Sequence, residues 1–258
     1  MKKMLMAGVT MLALVSAVCA QPAREIRFGT EPGYKPFEYK NTTGQIEGFD
    51  IDLGEALCAQ LKAKCVWVES TFDGMIPALK AKKFDAILSA MTINEKRLKE
   101  IAFSDRIYQV PAKLVVKTGS PLLPTAASLK GKRVGVQQGT THEAFALKHW
   151  QPGGVEVVAY KSATDIYPDL ANGRLDGAIN TALVMTETFL STPEGKGFSF
   201  AGADLRDTAI YGPGVGIGLR KEDDELRRNL NSALIEVKKS GTYKKLEAKY
   251  FPYDISGD

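Results

Sequence analysis

The feature that most constrains this chain is a pattern that runs once, stops and begins again. Residues 26–30 alternate apolar and polar side chains like a strand, and Glu31-Pro32-Gly33-Tyr34 turns out of it. A helix follows from Phe49-Asp50-Ile51, with Ile51, Leu53, Ala56, Leu57 and Leu61 on one stripe. Val66-Trp67-Val68 reads as the next strand, residues 75–82 as a short helix opened by Asp73, and Ala86-Ile87-Leu88 as a buried strand. This is a βαβαβ series, which implies a parallel sheet. Residues 107–116 are extended and apolar around Pro111, long enough to pass between two bodies. After the proline-rich stretch 120–124 the series restarts: strand 133–136, helix 143–150, strand 155–160, helix 163–172, strand 175–179. The glycine-rich stretch 212–219 is extended again. A long helix then carries Leu226, Leu230, Leu234 and Val237 on one face and stops near Gly241, and a short helix holds Tyr243, Leu246 and Tyr250. The expected fold is α/β with two lobes, each a mainly parallel sheet flanked by helices, joined by two crossings, near Tyr108 and near residues 206–213. Residues 21–109 with 212–258 would form the first lobe and 110–211 the second. A cleft between two such lobes is where a small ligand would bind.

The stretch 86–105 is the chemical centre of the first series. Its strand breaks into Ser89-Ala90-Met91-Thr92, at the carboxyl end where open α/β sheets bind ligands. Asn94 is a good N-cap type, and Arg97 falls on the first turn of the helix it would open. Arginine gives a planar carboxylate two parallel hydrogen bonds, and Ser or Thr adds another. Arg97 alone would equally suit a surface pair with Glu95 or Glu100.

Composition narrows the compartment and the partners. A chain of 258 residues, 44% hydrophobic and 25% charged, can bury real cores in both lobes. Lys2 and Lys3, the apolar run 4–15 and the small residues Val18-Cys19-Ala20 before Gln21 have the form of a cleaved secretory signal over residues 1–20. Cys19 raises a lipoprotein alternative, but Val18 is not the Gly or Ala such a site wants. Loss of Lys2 and Lys3 takes the formal charge from +4 to +2, with no basic block, which argues against a nucleic-acid partner. Export leaves Cys58 and Cys65 in an oxidising compartment, where a bond between them competes with two inert buried thiols. The only histidines are His142 and His149, nothing has metal-site spacing, and no cofactor is expected.

Several ordered motifs then add up. They are Gly29-Thr30-Glu31 with Tyr34 and Pro36-Phe37; Gly48-Phe49-Asp50-Ile51-Asp52; Phe72-Asp73-Gly74-Met75-Ile76-Pro77-Ala78-Leu79; and Arg97 with Ile101-Ala102-Phe103-Ser104. Gly131-Lys132, Val134-Gly135-Val136 and Gly139-Thr140 continue the set, followed by Gly173-Arg174-Leu175-Asp176 and Gly241-Thr242-Tyr243 with Lys249-Tyr250-Phe251. In these the chain resembles periplasmic solute-binding proteins of polar or basic amino-acid ABC importers, nearest the lysine, arginine, ornithine and histidine branch. The resemblance implies a type II periplasmic-binding-protein fold and a monomer that captures a small ligand and hands it to a membrane permease. It implies that Arg97 holds the ligand carboxylate with Thr92 and the backbone amide of Thr141. Tyr34 and Phe72 would sandwich the alkyl stem, and Glu31 would meet a cationic tip. Ser89, the Ala90 carbonyl, Gln137 and Thr140 would complete the polar shell.

The chain departs from the amino-acid binders in one place that matters. Where they carry an aspartate for the α-ammonium, just after a strand of the second lobe, this chain has Thr181. His142 also stands where the basic amino-acid binders often have glutamine. Both features are closer to opine-binding members, which take arginine-derived conjugates such as octopine and nopaline. His142 would donate to the extra carboxylate, more strongly when protonated. Alternatively, Thr181 accepts a bond from an ordinary ammonium. Periplasmic cyclohexadienyl dehydratases share the fold, and Glu31 or His142 would be the acid or base of such an enzyme. The chain is read as a binder rather than an enzyme, since no nucleophile–base pair or phosphate loop is visible.

Overall fold

The computed structural model describes residues 24–257, so the leader expected at residues 1–20 lies outside the described residues. Two five-stranded sheets form. The first has the order Ala63–Glu69, Arg24–Thr30, Ala86–Ile87, Gly218–Leu219, Ala102–Phe103. The second has the order Glu156–Tyr160, Arg133–Gln137, Gly177–Thr181, Ala112–Lys117, Phe198–Leu205. In each, the first three strands pair in parallel, as helical crossovers require. The fourth strand pairs antiparallel on both sides. In both sheets this reversed strand is the one that enters from the other body, Ala112–Lys117 after the first crossing and Gly218–Leu219 after the second.

The helix Phe49–Gln60 buries Phe49, Ile51, Leu53, Gly54, Leu57 and Cys58 against the first sheet. Gly54 is required there, because a Cβ would sit 2.6 Å from the Trp67 ring. Cys58 and Cys65 are disulfide-bonded, tying the end of this helix to the next strand. Phe28, Phe37, Phe49, Tyr108, Leu230, Leu234 and Tyr243 join in one core under the first sheet. Leu114, Val134, Val136, Phe145, Trp150 and Ile179 fill one face of the second sheet, and Val115, Ile166, Leu170, Ala178 and Phe189 the other. Two sheets with separate cores are what a chain folding as two bodies needs.

Three local differences from the sequence reading have physical causes. Asp73 does not cap the helix Met75–Lys80; it lies inside the 3₁₀ turn Phe72–Gly74 that leads into it. The last parallel strand of the second sheet is Gly177–Thr181, so Asn180 and Thr181 close the strand rather than follow it. The region 182–205 holds a short helix, a π-helical turn and the edge strand Phe198–Leu205, none of which carries a clear period in its sequence.

Candidate functional site

Every ligand-facing residue expected from the sequence lines one cavity of about 500 Å³ between the two sheets. The cavity is built from loop ends, and each side chain is placed by a local device. Asn94 caps the helix Glu95–Leu98 by accepting the Arg97 amide at 2.9 Å. That cap sets Arg97 on the first turn and buries it to 6% exposure. The guanidinium donates to the Thr92 carbonyl at 2.8 Å and, across the cleft, to the Gly139 carbonyl at 3.2 Å. Phe72 lies under it with the ring centroid 5.3 Å away. Burial lowers its pKa to about 10, so it stays cationic at neutral pH. Among the described residues no carboxylate pairs with it.

The second body meets Arg97 with a helix end. Thr140 caps the helix Thr141–His149, accepting the Glu143 amide at 3.2 Å and donating to the Gln137 carbonyl at 2.6 Å. The first amides of this helix have no partner within it and carry the positive end of its dipole. Gly139 approaches Asp73 of the first body so closely that a Cβ would lie 2.9 Å from its Cα, and its φ of +76° suits glycine. His142, on the same first turn, is buried, and burial followed by the charge of Arg97 lowers its pKa to about 3. Burial and the neighbouring Arg97 charge both favour the neutral ring, which can still donate one hydrogen bond.

The opposite end of the cavity is acidic. Glu31 leaves the strand Arg24–Thr30 and accepts a bond from Gln137 Nε2 at 2.6 Å, another contact across the cleft. Its amide donates to Ser89 Oγ at 3.1 Å, and that hydroxyl donates to Glu38 at 2.8 Å. Desolvation raises the Glu31 pKa to about 7 despite the Gln137 bond. No lysine, arginine or histidine among the described residues pairs with it. Tyr34 stands between the two ends, its hydroxyl 2.7 Å from Asn180 Oδ1 and 2.9 Å from Thr181 Oγ1. Thr181 is thus brought to the wall of the cavity, with its hydroxyl already engaged by Tyr34.

The structure adds residues that the sequence did not single out. Glu38 and Asp50 form a buried carboxyl pair behind Ser89 and Ala90, with Asp50 accepting the Ala90 amide at 2.8 Å and the Tyr108 hydroxyl at 3.0 Å. Burial, and for Glu38 also the charge of Asp50, raises both pKa values, that of Asp50 to about 7. Asp50 thus holds the amide of Ala90, whose φ of +45° is a left-handed conformation that an alanine adopts only under constraint. Tyr211 of the second crossing also lines the cavity. Only the acid at position 50, buried on an otherwise apolar helix face, left a signal in the sequence.

The cavity thus has the buried Arg97 cation at one end and the Glu31 carboxyl at the other. Residues 26–253 match the model of the bacterial extracellular solute-binding proteins, family 3, and the chain belongs to that family. Two curated relatives are similar along their whole length. The histidine-binding periplasmic protein of Salmonella typhimurium is 49% identical, with all of both chains covered. The lysine/arginine/ornithine-binding periplasmic protein of Escherichia coli is 46% identical over the same full coverage. Among solved structures, an arginine-specific periplasmic binding protein of Salmonella typhimurium superposes with a TM-score of 0.81 at 34% identity, covering 89% of this chain and all of that one. The resemblance read from the sequence motifs and the two-lobe α/β fold both hold. The relatives named here are binding proteins.

Proposed function

We propose that the mature protein works in the periplasm as a monomer that captures an arginine-like ligand between its lobes and delivers it to an ABC importer. The observation that carries this reading is a buried cation, Arg97, and a half-buried carboxyl, Glu31, that face one cavity with no ionic partner among the described residues. Arg97 donates only to carbonyls, and Glu31 is held by an amide rather than a cation. A buried charge without a counter-charge is costly, so a ligand that supplies both counter-charges is strongly favoured. In this reading the ligand carboxylate sits between Arg97 and the helix opening at Thr141, and the cationic tip reaches Glu31. Phe72 and Tyr34 flank the stem, while Ser89, the Ala90 carbonyl, Thr92, Gln137 and Thr140 form the polar wall. The names of the relatives, which bind histidine, lysine, arginine or ornithine, support a basic amino acid.

Residues 21–109 with 212–258 would be one lobe and 110–211 the other, closing by rotation about the two crossings. The contacts from Glu31, Tyr34 and Arg97 to the second body are the ones closure would form. An opine is the second ligand class, favoured by the neutral Thr181 and His142 where a primary ammonium would otherwise want a carboxylate. Thermal melting against a panel of basic amino acids, octopine and nopaline tests the reading. A true ligand at a thousandfold excess over Kd stabilises by about 4 kcal/mol. No shift with any member would overturn it. Small-angle scattering should show a smaller monomer with ligand bound. The dehydratase alternative rests on Glu31, whose raised pKa would suit a general acid. Assay with a cyclohexadienyl acid should give no product, and turnover would replace the binding-only reading.

A further inference from the structure

Tyr211 lines the cavity, and its hydroxyl is buried and meets no hydrogen-bond partner among the described residues. Its surroundings fix it firmly. The helix Thr208–Tyr211 is capped by Asp207, which accepts the amides of Ala209 at 3.0 Å and Ile210 at 3.3 Å. Asp207 is itself anchored by Lys148 at 2.8 Å and His149 at 2.7 Å. Asn94, the residue that caps the Arg97 helix, donates to the Ile210 carbonyl at 3.1 Å. The Tyr211 ring packs on His142 and Phe145, with centroids 6.1 Å and 5.7 Å apart. A hydroxyl so held cannot swing out to solvent, and leaving it unbonded in the folded state costs stability. Burial also keeps the phenol neutral, its pKa raised well above the ordinary value.

We propose that Tyr211 is a ligand-contacting, specificity-determining residue whose hydroxyl bonds the amino-acid end of the ligand. The inference rests on the binding reading above and adds a residue to it. The end of the ligand follows from position. The Tyr211 ring packs at a tilt against His142, His142 is on the helix turn that opens at Thr141, and Arg97 acts electrostatically on that ring. Tyr211 therefore belongs to the Arg97 side of the cavity, away from Glu31. A neutral phenol there either donates to the ligand carboxylate or accepts from the α-nitrogen. Both are features of an α-amino acid, and agmatine, which is arginine without its carboxylate, has lost the first. Because the residue lies at the start of the second crossing, the bond also ties the ligand to the segment that must bend on closure.

The test uses the full mature protein with L-arginine as the probe. Removing a hydroxyl that has no partner should leave the ligand-free fold unharmed, so Tyr211→Phe should melt no lower than wild type without ligand. Calorimetry should nevertheless show arginine bound at least fivefold more weakly, while agmatine, if bound, loses less. A lower melting point without ligand, or arginine affinity within twofold of wild type, would overturn the proposal. Tyr211→Trp, which fills the same wall without a phenol oxygen, should reproduce the loss, and its failure to do so would count equally against it. Failure of wild type to bind any basic amino acid would instead overturn the binding reading, and this inference with it.

Discussion

The two ends of the cavity are built on opposite principles. At one end Arg97 is buried, bonded to carbonyls from both bodies and still charged, since a pKa of about 10 lies far above neutrality. At the other, Glu31 is a desolvated carboxyl whose pKa of about 7 leaves it only half ionised at neutral pH. Desolvation disfavours the charge in both, but the guanidinium starts so far from neutral pH that it cannot be discharged, whereas a carboxyl can. In the proposed reading the Arg97 end is thus charged before a ligand arrives, and the Glu31 end becomes fully charged only with a cationic ligand.

Arg97→Ala should have the largest effect. It would leave a ligand carboxylate in a dry cleft without its counter-charge, and calorimetry should show binding weakened at least about a hundredfold, equivalent to about 3 kcal/mol. A loss below tenfold would remove Arg97 from the ligand and end the contrast drawn here. Glu31→Gln comes next. It should weaken arginine by roughly tenfold or more, as loss of a charge-assisted bond does, and affect a neutral ligand of similar length much less. Equal losses for both would make Glu31 structural.

The pH dependence sharpens the same contrast. A folded-state pKa raised above the ordinary carboxyl value means that ionising Glu31 costs the unliganded fold stability as pH rises through about 7. A cationic ligand reverses that cost by favouring the ionised form. Between pH 7 and pH 6 the ionised fraction drops about fivefold, and arginine affinity should drop with it. Glu31→Gln should make the profile shallower, leaving only what the Glu38–Asp50 pair behind Ser89 and Ala90 contributes, while Arg97 contributes nothing in this window. The smallest effect is expected at Thr181. Thr181→Asp should shift preference from an opine toward free arginine by about 1 kcal/mol, on the order of one hydrogen bond. Titration of arginine and octopine against both proteins checks it, and an unchanged ratio would leave the free amino acid as the simpler ligand.

Much of this protein was determined by its sequence alone, because the signals were local. The two βα series and the breaks between them follow from side-chain periodicity, and the caps at Asn94 and Thr140 from residue type beside a helix start. The cavity residues were legible because short motifs name them in order. The tertiary structure decided what depends on approach between distant segments. Strand direction after each crossing is set by the side from which the chain arrives, which no period encodes. The neutrality of His142 depends on its burial and on Arg97 lying near it in space, and the half-ionised Glu31 on how far the cavity walls desolvate it. Glu38 looks like an ordinary strand residue until Asp50, from the following helix, is packed behind the same floor. Tyr211 reads as one more core aromatic, and only the packing of the second crossing against His142 brings it to the cavity wall with its hydroxyl unpartnered. Charge state and exposure are properties of a neighbourhood, and chain folding brings that neighbourhood together from residues far apart in the sequence.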